Sequence, residues 1–108
     1  MTYKNISYLD AKELIENNKN NENFVIIDVR TPREYEQKNI PSAILINIYD
    51  DNFTQKIAQL DRDTKYLLYC RTGSRSNSAL QLMKRLGFRE VYNLKNGIIN
   101  LKEDEIIN

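Results

Sequence analysis

The stretch Tyr66-Leu67-Leu68-Tyr69-Cys70-Arg71-Thr72-Gly73-Ser74-Arg75-Ser76 carries the signal that sets the architecture of this chain. Its first four residues are apolar and bounded by polar ones, which suits a short buried strand. Beyond it, Ala79, Leu82, Met83 and Leu86 recur at i, i+3, i+4 and i+7, and Gly87 stands where a helix C-cap belongs. A thiol therefore sits between the end of a buried strand and the start of a helix. Successive amides of a tight loop form a nest for an anion there, and the helix adds its positive end. Gly73 permits a backbone angle that a bulkier residue resists. Arg71 and Arg75 bring two cations to the same loop. Such surroundings lower a thiol pKa from about 8.5 towards roughly 4–7, so that the thiolate becomes the resting form. Ser76 has a plainer role to weigh beside this one, as the cap of the helix that carries Leu82. A lone cysteine at a strand end is otherwise ordinary packing, and only the loop around it argues for chemistry.

The same alternation runs outward in both directions. Ser7-Tyr8-Leu9-Asp10 has capping-box spacing, with Ala11, Leu14 and Ile15 on one helical face. An Asn-rich connection, Asn17 to Asn23, leads to a buried strand over Phe24 to Val29. Thr31-Pro32-Arg33-Glu34 opens a short helix, with Thr as cap, Pro in the first turn and Glu reaching back. Pro41 bars helix through Ile40, and Ile44-Leu45-Ile46 forms another short strand. Asp50 or Asp51 is the expected cap of a helix carrying Phe53, Ile57 and Leu60. Val91 to Leu94 is the last strand, followed by a turn at Gly97. Buried strands alternating with helices predict an α/β fold built on an open, mostly parallel sheet. In such sheets ligands bind beyond the carboxyl ends of the strands, here after Asp28 and after Tyr69.

Composition narrows the chemistry. Lys plus Arg number 16 against 15 for Asp plus Glu, so neither a basic face for nucleic acid nor an acidic tail is indicated. The chain has no histidine, which removes Cys-His and Ser-His dyads and the usual zinc sites. Gly73, Gly87 and Gly97 are the only glycines, too few for a dinucleotide fingerprint or a phosphate loop. No metal or organic cofactor is expected. The longest apolar runs are too short to cross a bilayer. Met1-Thr2-Tyr3-Lys4-Asn5 lacks the apolar core of a secretory signal. One cysteine cannot make an internal disulfide, so a reducing, cytoplasmic location is expected.

The run Tyr69 to Ser76 resembles the active loop of single-domain rhodaneses. Asp28-Val29-Arg30 with Glu34-Tyr35 is similar to that family's other hallmark. Asn39-Ile40-Pro41-Ser42-Ala43, then Leu86-Gly87-Phe88, Val91 and Leu94-Lys95-Asn96-Gly97-Ile98, follow its spacing in order. The resemblance implies a single domain over residues 1–108: an open five-stranded, mostly parallel sheet flanked by helices on both faces. It implies a thiosulfate sulfurtransferase-type activity in which Cys70 accepts a sulfane sulfur as a persulfide and passes it on. The donor is a small anion such as thiosulfate, and the acceptor is cyanide, a small thiol or a protein. The loop residues Arg71, Thr72, Gly73, Ser74, Arg75 and Ser76 would hold the persulfide and attract the donor. Asp28 and Arg30 would support the site, or else form only a strand-end salt bridge or a surface ion pair.

The chain departs from the family pattern at Asn39, commonly His, at Ser42, commonly Gly, at Asn96, the first of a usual Gly pair, and at Leu101, frequently Trp. Asn tolerates positive φ, so Asn96 can keep the turn. Three rival functions remain. A protein-to-protein persulfide relay would use the same site with other partners. A Cys-based phosphatase or arsenate reductase closes its anion loop one residue later, whereas four residues separate Cys70 from Arg75 here. That shorter ring suits a single sulfur atom better than a phosphoryl group. A regulatory rhodanese-like domain without activity normally lacks the cysteine, which is present.

Overall fold

The computed structural model describes residues 1–106. Strand β1 (Thr2–Ile6) is followed by α1 (Tyr8–Asn17), β2 (Phe24–Asp28), α2 (Pro32–Gln37), β3 (Ile44–Leu45) and α3 (Phe53–Ala58). Then come β4 (Lys65–Tyr69), α4 (Ser74–Arg85), β5 (Glu90–Leu94) and a 3₁₀ turn over Glu103–Glu105. The five strands form one sheet in the order β1-β5-β4-β2-β3, and every pairing is parallel. The expected open α/β sheet is therefore observed, parallel throughout.

Strand alternation divides the core. From β2 and β4, Ile27, Tyr66 and Leu68 turn to the face covered by α3 and α4, where Phe53, Ile57, Ala79, Leu80 and Met83 pack. Ile26, Leu67 and Tyr69 turn to the other face, against Ala11 of α1 and the segment holding Ile40 and Ala43. Each central strand is buried on both sides, which is why it reads as a continuous apolar run.

Side-chain hydrogen bonds cap two of the four α-helices, α1 and α2. Ser7 Oγ accepts the Asp10 amide at 3.1 Å. Thr31 and Glu34 make a reciprocal capping box, with Pro32 in the first turn. Two expectations change. The N-cap of α3 is Asn52, whose side chain makes no capping bond. The Asp50 carboxylate instead meets Lys56 at 3.4 Å, while its carbonyl accepts the Phe53 amide. The second change is at α4, which begins at Ser74, inside the cysteine loop. Its N-cap is Gly73 at φ 98°, so Ser76 lies in the first turn and does not cap the helix.

Strand β1 has no counterpart among the sequence expectations. Thr-Tyr-Lys-Asn-Ile is half exposed because β1 is an edge strand paired only with β5, and it carries no apolar run to mark it. Asn96 does take positive φ, at 69°, as does Ser42 at 72°. Asn39 donates from Nδ2 to the Tyr35 carbonyl at 2.8 Å. Leu101 packs with the α1-side core. Among the described residues, no helix is long and apolar enough to cross a membrane.

Candidate active site

Strands β2 and β4 end side by side, with Asp28 opposite Tyr69. The residues after each strand end carry the candidate chemistry. Cys70 follows Tyr69 directly and is only 1% exposed. Three donors converge on its sulfur. The Gly73 amide lies 3.1 Å from Sγ, the Ser76 amide 3.4 Å and the Ser76 hydroxyl 3.3 Å. Burial opposes ionisation of the thiol. The Ser76 hydroxyl and the amides of Ser76, Gly73 and Thr72 outweigh it, so the thiol titrates below its ordinary value. Ser76 thus serves the sulfur directly.

The loop is braced from behind by the turn after β5. The Ile98 amide donates to the Cys70 carbonyl at 3.2 Å and the Ile99 amide to the Arg71 carbonyl at 3.0 Å. Gly97 passes so close that a Cβ there would stand 2.2 Å from the Arg71 carbonyl oxygen. Only glycine fits, which explains the second member of the family's usual pair.

The two arginines of the loop have different surroundings. Arg75 makes two 2.8 Å bonds to the two carboxylate oxygens of Glu34 on α2, and its guanidinium lies 5.6 Å from the Tyr49 ring centre. The Arg75 bonds, against some desolvation and with help from Thr31, hold the Glu34 carboxyl at about 2. Arg75 is raised in turn by the same pairing. Arg71 is exposed and has no side-chain hydrogen bond or ion pair among the described residues. It lines a cavity of about 170 Å³ with Arg30, Glu34, Gln37 and Ile99. Thr72 and Ser74 face a second, polar hollow of about 250 Å³ beside Asn77, Lys95 and Asn96.

Asp28 and Arg30 form a buried pair. Arg30 Nη2 lies 2.7 Å from Asp28 Oδ2, and Nε and the backbone amide of Arg30 both donate to Oδ1 at 2.9 Å. Arg30 also donates to the Lys38 carbonyl and lies over the Tyr69 ring. Burial opposes the Arg30 charge, and the Asp28 bonds more than restore it. The pair does not touch the sulfur. It reaches the site through Arg30, at the wall of the Arg71 cavity. Glu34 was legible as part of a motif but not as the partner of Arg75. The two are 41 residues apart, and nothing local in the sequence links them.

Comparison with known proteins places the chain in a family. A family model for the rhodanese-like domain matches residues 10–104. The chain is 35% identical over 98 residues to the thiosulfate sulfurtransferase GlpE of Coxiella burnetii, covering 90% of this chain and 85% of that one. A sulfurtransferase of Allochromatium vinosum is 29% identical over 94 residues, covering 87% and 86%. A crystal structure of a rhodanese-related protein from Thermoplasma volcanium superposes with a TM-score of 0.74 at 30% identity, covering 89% of this chain and 87% of that one.

Proposed function

The chain belongs to the rhodanese-like domain family, and on that premise we propose that it is a sulfurtransferase working through a Cys70 persulfide. The observation that carries this reading is the convergence of the Gly73 amide, the Ser76 amide and the Ser76 hydroxyl on one sulfur. Donors aimed at a sulfur atom stabilise it as an anion, both as thiolate and as persulfide.

With thiosulfate as donor, the thiolate attacks the outer, sulfane sulfur. A Cys70 S–S bond forms, the S–S bond of thiosulfate breaks, and its electron pair leaves with sulfite. An acceptor nucleophile then attacks the outer sulfur of the persulfide, and the electron pair of the broken bond returns to Cys70 as thiolate. Cyanide would leave as thiocyanate, and a thiol or a protein cysteine as a persulfide. Arg71, the loop cation with no side-chain partner among the described residues, draws the anionic donor. Arg75 keeps the loop against α2. Asp28 and Arg30 hold the neighbouring strand end, the amides of Thr72, Gly73 and Ser76 shape the ring, and Ser74 opens the helix behind it. The chain acts as one domain, in the reducing cytoplasm, and needs no metal or organic cofactor.

Incubation with thiosulfate should add the mass of one sulfur atom to the intact chain, and cyanide or a reducing thiol should remove it. A cysteine desulfurase offered as donor in a parallel reaction separates catalysis on small molecules from relay between proteins. Absence of the sulfur adduct with both donors would overturn the reading.

A further inference from the structure

We propose that Asn93 on β5 is a positioning residue that holds the Gly73 peptide in place, so that the loop amides stay aimed at the Cys70 sulfur. This rests on the reading of Cys70 as a stabilised thiolate. Asn93 is a polar residue in a strand whose other fully buried residues, Val91 and Leu94, are apolar, and it is only 2% exposed. Its Nδ2 donates to the Gly73 carbonyl at 3.2 Å and to Asn5 Oδ1 at 2.9 Å, where Asn5 is its register partner on β1. Its Oδ1 is buried with no hydrogen-bond partner among the described residues. A buried amide oxygen without a partner is unfavourable, and an apolar side chain would avoid that penalty. The work of the side chain therefore lies with its nitrogen.

Gly73 needs such a clamp. It is the residue with the greatest backbone freedom, held here at φ 98°. Its amide reaches the sulfur and its carbonyl accepts the Asn77 amide at 3.1 Å, the opening bond of α4. A second donor on that carbonyl sets the plane of the Gly73–Ser74 peptide. Rotation about Gly73 turns the Thr72–Gly73 peptide, which carries the N–H aimed at Cys70, relative to the clamped Gly73–Ser74 peptide, which leads to the turn holding Ser76. The Asn96 backbone nitrogen lies 2.9 Å from where a Gly73 Cβ would be, so the turn after β5 also packs closely against Gly73.

The test is the pH profile of Cys70 alkylation by iodoacetamide, in the full chain, where Cys70 is the single cysteine. Asn93→Leu removes the donor and the unpartnered oxygen together. It should raise the thiol pKa by about half a unit or more, seen as roughly three-fold slower alkylation at a pH below both values. Its melting temperature should equal or exceed that of the parent. Asn93→Ala provides the same comparison if the leucine variant does not fold. Asn5→Ala leaves the Gly73 bond in place and should shift the profile less than half as far. An unchanged profile in a folded Asn93 variant overturns the proposal, as does a shift that appears only with loss of the native fold. The alkylation readout needs no sulfur donor. Failure of sulfur transfer in the parent protein would therefore refute the proposed activity while leaving this measurement intact.

Discussion

Strands β2 and β4 end level with one another, yet the two ends treat a negative charge in opposite ways. At the end of β2 the anion is the Asp28 carboxylate, and Arg30, two residues on, answers it with its guanidinium and its backbone amide. The Arg30 guanidinium is further engaged by the Lys38 carbonyl and the Tyr69 ring. The charge is balanced, buried and chemically closed. At the end of β4 the group that can carry a negative charge is the Cys70 thiol, whose titration is lowered by amides and a hydroxyl, with no cation bonded to it among the described residues. Neutral donors favour a sulfur anion without tying its lone pairs to a fixed counter-ion, which suits the nucleophile proposed above. An ion pair closes one strand end, and a cluster of neutral donors surrounds the sulfur at the other.

The largest effect should come from breaking the β4 end. Cys70→Ser should reduce sulfur transfer to background and abolish the sulfur adduct in intact mass, with little change in thermal stability. The β2 end should respond in the opposite sense. Asp28→Ala leaves the Arg30 charge buried without its partner, which costs about 3–5 kcal/mol in urea unfolding. The fraction that remains folded should keep a low thiol pKa, because the pair does not touch Cys70.

The arginines sharpen the contrast on a smaller scale. Arg71→Ala should raise the KM for thiosulfate about ten-fold with kcat nearly unchanged, and high salt should weaken donor binding in the parent but less in the variant. Arg75→Ala should lower stability by about 1 kcal/mol, with a smaller change in KM, because Glu34 already neutralises its charge. The Glu34–Arg75 contribution also has a pH signature. Glu34 is depressed from 4.5 to about 2 in the folded chain, so the contribution is complete above the ordinary value and is lost as the pH falls towards about 2. In Arg75→Ala that acid-dependent part of the unfolding curve should flatten.

Ser76→Ala should act on the thiol alone, with an effect of the same small size. Loss of one hydroxyl donor should raise the thiol pKa by about 0.5–1 unit in the alkylation profile, with the two amides still in place. A rise no larger than experimental error would assign the stabilisation to the backbone alone.

Much of this molecule was legible from local pattern. Phe24 to Asp28 and Lys65 to Tyr69 lie where apolar runs bounded by polar residues predict buried strands, and the caps at Ser7 and Thr31 form from residues three apart. The position of Cys70 between a strand and a helix follows from the same periodicities. The signals failed where a neighbour distant in sequence decides the outcome. Strand β1 exists because β5 offers it an edge, and its own five residues carry no burial pattern strong enough to announce it. Ser76 has the composition of a helix cap, but Gly73 at positive φ starts α4 early and turns the Ser76 hydroxyl to the sulfur.

The sequence by itself determined the order of the elements, the loop that carries the thiol and the glycine that lets the loop turn, because these depend on bonds among residues close along the chain. Only the tertiary structure decided that Arg75 is spoken for by Glu34 while Arg71 stays open, and that Asn93 reaches across to Gly73. Those contacts join residues 41 and 20 positions apart. A charged or polar side chain finds such a partner only when the sheet has brought the strand ends to one edge.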